Sequence, residues 1–390
     1  MIDIDRLNST KLSTDELSRY ARQLVLPEVG SEGQRRLKAA RVLCIGTGGL
    51  GSPIALYLAA AGVGKIGLVD ADAVELSNLQ RQILHGTKDV GRGKLESARA
   101  RLLDANPQVQ VCLHEGYFRR ENALETAGEY DLVIDGTDNF PTRYLSNDVC
   151  VLLKKPNIYG SILGFEGQCS VFAPHLGGPC YRCMLPVPPP PGSVPACAEG
   201  GVLGVLPGVI GVMQALEAIK LILGIGKPLV GRLIHFDALA FKFREFKLRK
   251  DPKCPVCGEQ PSITAPVDYE RFCGISPATT AAGAVEGTLS VAALKRKLDA
   301  AEPFLLLDVR EPFEWDICHI PGAKLVPLGE LPAQMQTWDR AGEIVVLCKS
   351  GIRSAKALHR LKEAGFANAW HVEGGIAAWA REVDPAMAKY

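Results

Sequence analysis

The chain has 390 residues, 47% of them hydrophobic, which is enough for two or three domains with packed cores. Its 44 basic and 43 acidic residues leave a net charge of +1, so we expect no basic surface for nucleic acid or an anionic membrane. The acidic start at residues 1–6 lacks a secretory signal pattern. The most apolar stretch, residues 200–216, is rich in glycine and contains Pro207, so it is too short and too broken for a helix that spans a bilayer. We therefore expect a soluble, cytoplasmic protein.

The first 250 residues alternate short apolar runs with helix-like segments. The runs at 41–45, 65–70 and 130–135 are typical of buried strands, and a helical pattern from Ile54 to Ala61 follows the first of them. Strands that alternate with helices predict an α/β fold of the Rossmann-like, doubly wound type with parallel strands.

A second α/β pattern follows a stretch rich in Ala, Thr, Pro and Gly, a composition typical of linkers between domains. Apolar runs at 304–309 and 343–348 predict parallel strands in this second part. We therefore predict a first domain at residues 1–257, a linker at 258–285, and a smaller α/β domain at 286–390.

A glycine-rich turn, GTGGLG at residues 46–51, joins the first strand to its helix. Glycines let the backbone approach a phosphate closely, and a helix N-terminus supplies unpaired N–H groups and positive potential. Asp70 ends the next strand, where a carboxylate can bind ribose hydroxyls. This pattern alone is equally compatible with an NAD-linked oxidoreductase.

The charged residues that follow the turn favour a triphosphate. A dinucleotide needs one diphosphate cradle, whereas a triphosphate needs cations on its terminal phosphates and a carboxylate for magnesium. Arg81, Lys94 and Asp138 supply those groups. Arg81 or Lys94 alone would more often be a solvated surface charge, so the prediction depends on the order of all the motifs.

That order resembles the ubiquitin-activating-enzyme-like adenylyltransferases of the MoeB/ThiF type over residues 15–260. The matching strings are RYARQ at 19–23, GTGGLG at 46–51, DADAVELSNLQRQ at 70–82 and TDN at 137–139. The resemblance implies that Asp138 binds Mg²⁺ and that Arg22 reaches a phosphate in the neighbouring subunit of a homodimer. It implies that ATP is held by Gly49, Asp70, Ser77, Asn78, Leu79, Gln80, Arg81, Lys94 and Asn139.

Two Cys-x-x-Cys pairs, CYRC at 180–183 and CPVC at 254–257, offer four soft thiolate ligands. Four thiolates fill a tetrahedral zinc site and leave no open position, so the metal would be structural. A redox Cys-x-x-Cys is the alternative for either pair singly. The MoeB-like proteins carry a zinc site at matching places, and the resemblance implies Zn²⁺ on Cys180, Cys183, Cys254 and Cys257.

Cys348 ends an apolar strand, and its loop, CKSGIRS at 348–354, precedes a helical pattern. The N–H groups of such a loop and the guanidinium of Arg353 favour an anionic sulfur, either a thiolate or a persulfide. Phosphatases use a related loop, in which five residues separate the cysteine from the arginine. Only four separate Cys348 from Arg353, and the tighter loop favours a sulfane sulfur over a phosphate.

This smaller module resembles single-domain rhodaneses over residues 286–385. Its further marks are LDVRE at 307–311, HIPGA at 319–323 and GGIAAW at 374–379. Within these strings we expect Asp308 and Arg310 to brace the active loop, and His319 to fix a loop rather than to react.

Cys197 follows the polyproline run at 188–191, which predicts a stiff, extended crossing loop. The resemblance implies that a cysteine at this place forms a covalent link with the carrier protein in some family members. Judged as a single residue, it is equally an ordinary semi-buried thiol. We predict a catalytic role for Cys197 beside that of Cys348.

Together the two modules predict ATP-dependent sulfur transfer. The resemblance implies that a ubiquitin-like sulfur carrier protein ending in Gly-Gly is adenylylated at its C-terminal glycine and receives sulfur from a Cys348 persulfide. Thiosulfate or a persulfide-bearing desulfurase would supply that sulfur. The string at 267–274 resembles bacterial MoeZ-type fusions, which favours molybdopterin among the possible sulfur pathways. Two alternatives stay open: an NAD-linked oxidoreductase with an accessory rhodanese fold, and a non-catalytic scaffold that docks carrier proteins.

Overall fold

A computed structural model describes residues 2–190, 201–274, 287–388 and 390 of the chain. The chain divides into two compact units, Met1–Ser276 and Pro277–Tyr390.

The first unit is built on one eight-stranded sheet. Its strands are β1 (Arg41–Ile45), β2 (Lys65–Asp70), β3 (Gln110–Glu115), β4 (Leu132–Asp135), β5 (Asn157–Leu163), β6 (Glu166–Phe172), β7 (Arg232–Asp237) and β8 (Lys242–Lys247). They lie in the order β3-β2-β1-β4-β5-β6-β7-β8. The neighbours from β3 to β5 pair parallel, whereas β6, β7 and β8 pair antiparallel.

The predicted Rossmann-like parallel sheet is confirmed for five strands, and three antiparallel strands extend it on one side. The sequence did not predict this extension because those strands lack a continuous apolar run. Every residue of β8 is exposed, so hydrophobic patterning gives no signal there.

Helices cover both faces of the sheet. They are α1 (Ile4–Ser9), α2 (Thr14–Arg19), α3 (Ala21–Leu24), α4 (Gly30–Ala39), α5 (Gly51–Ala61), α6 (Lys94–Ala105), α7 (Ala123–Gly128), α8 (Phe140–Leu152), α9 (Tyr181–Met184), α10 (Leu206–Leu223) and α11 (Tyr269–Phe272). Successive residues of a strand point to opposite faces, so Val42 and Cys44 join the core beneath α5, α6 and α10. Leu43 and Ile45 join the core beneath α7 and α8. Strand β1 is therefore apolar without alternation because both of its faces are covered.

Helix α10 is long and apolar enough to cross a membrane by length and composition, but it packs into the core of the first unit. Its sequence includes most of the apolar stretch that we expected to be broken by Pro207. The proline lies in the first helical turn, where the missing N–H removes no intrahelical bond, so it does not interrupt the helix.

Helix α11 packs against α8, although its residues fall within the predicted linker. The Tyr269 hydroxyl donates to Asp148 Oδ2 at 2.9 Å, and the ring of Phe272 meets that of Tyr144 edge to face, 5.0 Å between centroids. The domain and linker bounds stay a prediction.

The second unit is a smaller α/β domain with a five-stranded parallel sheet. Its strands are β9 (Thr288–Leu289), β10 (Leu305–Asp308), β11 (Lys324–Leu325), β12 (Ile344–Leu347) and β13 (Ala369–Val372), in the order β11-β10-β12-β13-β9. Its helices are α12 (Val291–Asp299), α13 (Pro312–Ile317), α14 (Leu331–Gln334), α15 (Ile352–Glu363) and α16 (Gly375–Glu382). The apolar runs at 304–309 and 343–348 form β10 and β12, as predicted.

One buried ion pair supports a prediction about the stability of the first unit. Arg182 donates to both carboxylate oxygens of Asp148, and the two side chains are 1% and 0% exposed. Replacing Asp148 by Asn leaves a buried guanidinium without its counter-charge, which costs about 3–5 kcal/mol. We expect Asp148→Asn to lower the free energy of unfolding of this unit by that amount.

Urea unfolding can follow the two units separately, because all four tryptophans lie in the second one, at positions 315, 338, 370 and 379. The Asp148→Asn variant should lose far-UV circular dichroism at lower urea, with an unchanged transition in tryptophan fluorescence. Glu245→Gln, which removes the exposed partner of Arg232, is the control and should leave both transitions in place. Coincident transitions for Asp148→Asn and wild type would contradict the prediction.

Candidate functional site

An open cleft lies at the carboxyl ends of the parallel strands of the first unit. Ligands of open α/β sheets bind at this edge, because loops from several strands meet there. Six of the ten predicted nucleotide-site residues line the cleft: Gly49, Asp70, Arg81, Lys94, Asp138 and Asn139.

The glycine-rich turn is held in shape by Asp70. The backbone N–H and the hydroxyl of Thr47 both donate to Asp70 Oδ2, each at 2.8 Å, and the N–H of Asp72 donates to Oδ1 at 3.0 Å. A Cβ atom on Gly51 would lie 2.0 Å from the carbonyl oxygen of Gly46, so the turn accepts only glycine there. Asp70 therefore fixes the shape of the glycine-rich turn, and its predicted contact with ribose stays a prediction.

A buried histidine that the sequence did not single out braces the same turn. His85 Nε2 lies 3.1 Å from the carbonyl oxygen of Thr47, and Nδ1 lies 2.9 Å from Ser97 Oγ. Burial lowers the pKa of His85, so the ring is neutral at pH 7. Because the Thr47 carbonyl can only accept, Nε2 carries the proton and Nδ1 accepts from the Ser97 hydroxyl. No local motif marks this residue, since its partners come from elsewhere in the chain.

Two of the cations that line the cleft, the predicted Arg81 and Lys94, have partners within the protein. Arg81 donates to Asn78 Oδ1 at 2.7 Å and to the carbonyl of Ser77 at 3.4 Å. The ammonium of Lys94 donates to Asp72 Oδ2 at 2.8 Å. Ser77 and Asn78 thus position Arg81 without lining the cleft themselves.

Four further predicted residues lie away from the cleft wall or outside the described residues. Leu79 and Gln80 belong to the turn that precedes Arg81 and do not line the cleft. Arg22 is exposed on α3, and its predicted role depends on a second subunit. Cys197 lies outside the described residues, so its role stays a prediction.

The two Cys-x-x-Cys pairs converge in one cluster, in which all four sulfur atoms lie within 4.8 Å of one another. Cys180 and Cys254 approach to 3.5 Å, and Cys183 and Cys257 to 3.4 Å. The N–H of Asp251 donates to Cys183 Sγ at 3.4 Å, and hydrogen bonding with Cys180 lowers the pKa of Cys183.

This donor set fits zinc. Four thiols from distant parts of the chain suit a closed structural site better than two independent redox pairs. Held by these four cysteines, zinc would cross-link the segment at 180–183 to the segment at 254–257 and contribute folding energy, with no open position for chemistry.

Removal of one ligand should release the metal and weaken the first unit. We expect elemental analysis to find one zinc per wild-type chain and none in Cys254→Ser, because three thiolates no longer close the tetrahedral site. The circular dichroism transition of the first unit should then fall to lower urea. Cys112→Ser changes a partly buried thiol outside the cluster and should keep its zinc. Full zinc content in Cys254→Ser would show that the cluster is not the metal site.

In the second unit, Cys348 lies between β12 and α15 with its side chain fully buried. Its Sγ accepts a hydrogen bond from the N–H of Gly351 at 3.1 Å and lies 3.5 Å from Ser354 Oγ. Gly351 has a φ of +96°, a left-handed conformation that favours glycine. The loop therefore presents a backbone donor to the sulfur, as an anionic sulfur requires.

The start of α16 packs directly on this loop. The N–H groups of Ile376 and Ala377 donate to the carbonyls of Cys348 and Lys349, at 2.8 and 3.0 Å. A Cβ atom on Gly375 would lie 2.2 Å from the Cys348 carbonyl oxygen. This close approach explains why the GGIAAW string begins with glycines.

Arg353 is paired with a buried carboxylate that the sequence did not predict. Its two terminal nitrogens donate to the two oxygens of Glu314, at 2.6 and 2.7 Å. Within the described residues, these are its only hydrogen bonds. The charge expected to favour an anionic Cys348 is thus balanced by Glu314, and a direct role for Arg353 stays a prediction.

Asp308 and Arg310 form a buried ion pair at the end of β10, 2.5 Å between Oδ2 and Nη2. Arg310 also donates to the Tyr390 hydroxyl, which in turn donates to Glu314 Oε1 at 3.0 Å. A chain of hydrogen bonds through Tyr390 and Glu314 thus connects the Asp308–Arg310 pair to Arg353. The pair itself makes no hydrogen bond to the loop that follows Cys348 among the described residues.

His319 is exposed and contacts Trp315, four residues earlier in the chain, and its loop-fixing role stays a prediction. Its ring stacks on that of Trp315 with 4.2 Å between centroids, and Nδ1 lies 3.1 Å from the Trp315 carbonyl oxygen.

Comparison with known proteins assigns both units. The model of the ThiF family matches residues 20–256, within the first unit. This chain belongs to the ThiF family. The model of the rhodanese-like domain matches residues 290–382, within the second unit. Both resemblances drawn from the sequence are confirmed: a ThiF-family adenylyltransferase is joined to a rhodanese-like domain.

Full-length relatives share this arrangement. The chain is 50% identical to the probable adenylyltransferase/sulfurtransferase MoeZ of Mycobacterium tuberculosis, over 98% of this chain and 97% of that protein. It is 46% identical to the adenylyltransferase and sulfurtransferase MOCS3-2 of Zea mays, over 97% and 82% respectively. The MOCS3 protein of Mus musculus is 44% identical, over 97% and 88%.

Among solved structures, the first unit is similar to E. coli MccB in complex with ATP. The TM-score is 0.53 at 25% identity, over 62% of this chain and 74% of MccB. The full-length relatives are named as adenylyltransferases and sulfurtransferases, which favours ATP over NAD for the cleft and an enzyme over a scaffold.

Proposed function

We propose that this protein adenylylates the C-terminal glycine of a ubiquitin-like sulfur carrier protein ending in Gly-Gly, and then converts it to a thiocarboxylate with sulfur from Cys348. One observation carries the proposal: a single chain holds both a cleft lined by Asp70, Arg81, Lys94 and Asp138 and a buried cysteine that faces a backbone N–H. Full-length identity to an adenylyltransferase/sulfurtransferase supports the same pairing.

In the first step, ATP lies with its ribose at Asp70 and its phosphates over the glycine-rich turn. A carboxylate oxygen of the carrier attacks the α-phosphorus, the bond to pyrophosphate breaks, and an acyl-adenylate forms. Arg81 and Lys94, with Arg22 from a second subunit, stabilise the phosphate charge. Asp138 would hold Mg²⁺, which neutralises triphosphate charge when bound. The carboxylate is already ionised, so the step needs no general base.

In the second step, the Cys348 thiolate attacks the sulfane sulfur of thiosulfate or of a desulfurase persulfide; the donor's S–S bond breaks, sulfite or the donor thiolate leaves, and Cys348 becomes a persulfide. The terminal sulfur attacks the carbonyl carbon of the acyl-adenylate, and AMP leaves. The product is an acyl disulfide on Cys348. We propose that Cys197 attacks Cys348 Sγ, which releases the thiocarboxylate and leaves a Cys197–Cys348 disulfide for an external thiol to reduce.

The same proposal includes a cytoplasmic homodimer with a first domain at 1–257, a linker at 258–285 and a rhodanese domain at 286–390. The ThiF and rhodanese matches end and begin close to those bounds. A net charge of +1 supports a protein partner rather than nucleic acid or a membrane surface. The carrier is of the molybdopterin, thiamine or cysteine type.

Two variants should separate the chemistry of the two units. We expect Cys348→Ala to keep carrier-dependent exchange of labelled pyrophosphate into ATP, and to lose both thiosulfate:cyanide transfer and sulfur incorporation into the carrier. Arg81→Ala should lose pyrophosphate exchange by about 100-fold, because a cation at the reacting phosphates is missing, and keep thiosulfate:cyanide transfer. Mass spectrometry of the carrier shows whether sulfur has replaced oxygen.

Cys318→Ser is the matched control for Cys348→Ala, since it removes another thiol of the same unit and should behave as wild type. Wild-type protein that binds NAD and exchanges no pyrophosphate with any Gly-Gly carrier would sink the proposal. Sulfur incorporation that survives in Cys348→Ala would remove this cysteine from the mechanism.

A further inference from the structure

Arg143 lines the cleft of the first unit, although no motif pointed to it. It lies in the first turn of α8, four residues after Asn139, whose side chain caps that helix. The residue is 8% exposed. Its guanidinium faces the rings of Tyr159 and Phe140, with 5.4 and 5.9 Å from its central carbon to the ring centroids.

The hydrogen-bonding capacity of Arg143 is largely unused. One terminal nitrogen donates to the carbonyl of Thr137 at 3.2 Å, and Nε is buried without any partner. No carboxylate among the described residues forms an ion pair with it. The nearby Asp135 is committed elsewhere, because its oxygens accept from Thr137 and Ser146.

Other buried arginines of this chain are satisfied in a different way. Arg182 and Arg310 each donate several hydrogen bonds to one carboxylate that is itself buried. A buried cation without such a partner is costly. Arg143 is therefore a candidate to receive an anion that enters the cleft.

The sheet order places Arg143 away from the ribose end of the cleft. Asp70 ends β2, the glycine-rich turn follows β1, and Thr137 follows β4, which is the next strand along the edge. Tyr159, which packs on the guanidinium, belongs to β5, one strand further. An anion on Arg143 would thus lie beyond the phosphate-binding turn, on the side opposite to the ribose.

We propose that Arg143 binds the carboxylate of the acyl substrate, the C-terminal group that is adenylylated; this rests on the proposed function. A carboxylate that approaches a triphosphate meets strong charge repulsion, and a buried cation beside the turn offsets it. The planar fork of arginine matches a carboxylate with two parallel hydrogen bonds. When the oxygen–phosphorus bond forms and pyrophosphate leaves, the carboxylate loses its charge, so Arg143 holds the substrate more tightly than the acyl-adenylate.

The test compares Arg143→Gln and Arg143→Lys in the full-length protein. We expect Arg143→Gln to raise the KM for a Gly-Gly carrier in pyrophosphate exchange by about 10- to 100-fold, the worth of hydrogen bonds to a charged group, with ATP affinity unchanged. Arg143→Lys keeps the charge but loses the planar guanidinium, so its KM for the carrier should lie between those of wild type and Arg143→Gln. Arg101→Gln removes an exposed cation that pairs with Asp104 and should match wild type.

A small probe tests the same inference, first on wild-type protein and then on Arg143→Gln. N-acetylglycylglycine has the same free C-terminal carboxylate as the carrier. The matched control compound, N-acetylglycylglycine amide, lacks that carboxylate. We expect the acid to inhibit exchange competitively with the carrier, the amide not to inhibit, and Arg143→Gln to lose the inhibition. Equal inhibition by acid and amide would overturn the inference.

The outcomes separate this inference from the proposed function. An Arg143→Gln variant that weakens ATP binding, with the carrier KM unchanged, would make Arg143 a nucleotide ligand instead. Normal exchange by wild type and an unchanged carrier KM in Arg143→Gln would reject the inference alone. No exchange by wild type with any Gly-Gly carrier would reject both.

Discussion

Parallel pairing of β1 with β2 on one side and β4 on the other brings the nucleotide cleft together. Because parallel strands end at the same edge, the glycine-rich turn, Asp70 and Asp138 become neighbours. About 70 residues of chain lie between Asp70 and Asp138. The pairing is stable because both faces of β1 are covered by helices. The hydrogen bonds from Thr47 to Asp70 then fix the turn. The shape of the site therefore depends directly on the packing of the sheet.

Buried charge is handled in two ways in this protein. The pairs Arg182–Asp148 and Arg310–Asp308 are each buried together with their counter-charge; the first joins residues 34 positions apart, and the second joins residues two positions apart. Arg143 keeps unused donors at the wall of a cleft. Arg182 and Arg310 stabilise the fold, whereas Arg143 has N–H groups available to bind a ligand. In the second unit, Glu314 balances Arg353 beside the Cys348 loop, which leaves the Gly351 N–H as the direct donor to the sulfur.

Much of the fold and of the candidate sites could be predicted because their signals are local. A buried parallel strand is a short apolar run, a phosphate turn needs glycines in close succession, and a thiolate metal site needs paired cysteines. The antiparallel strands β6 to β8 escaped prediction because none of them is a continuous apolar run; β6 is mostly buried but contains polar residues, and β8 is exposed along its whole length. His85, Glu314 and Arg143 escaped it because each is defined by partners from other elements.

The sequence by itself determined the chemistry available to this protein: the glycine-rich turn with its charged residues, four cysteines in two pairs, and a cysteine at the head of a short loop before a helix. It also determined family membership, since those residue types at those spacings are what the family shares. Only the tertiary structure decided which groups meet. Whether Arg353 is free or paired, and whether Arg143 is a surface charge or a buried one, depends on packing between distant segments, because desolvation and pairing are properties of the assembled core.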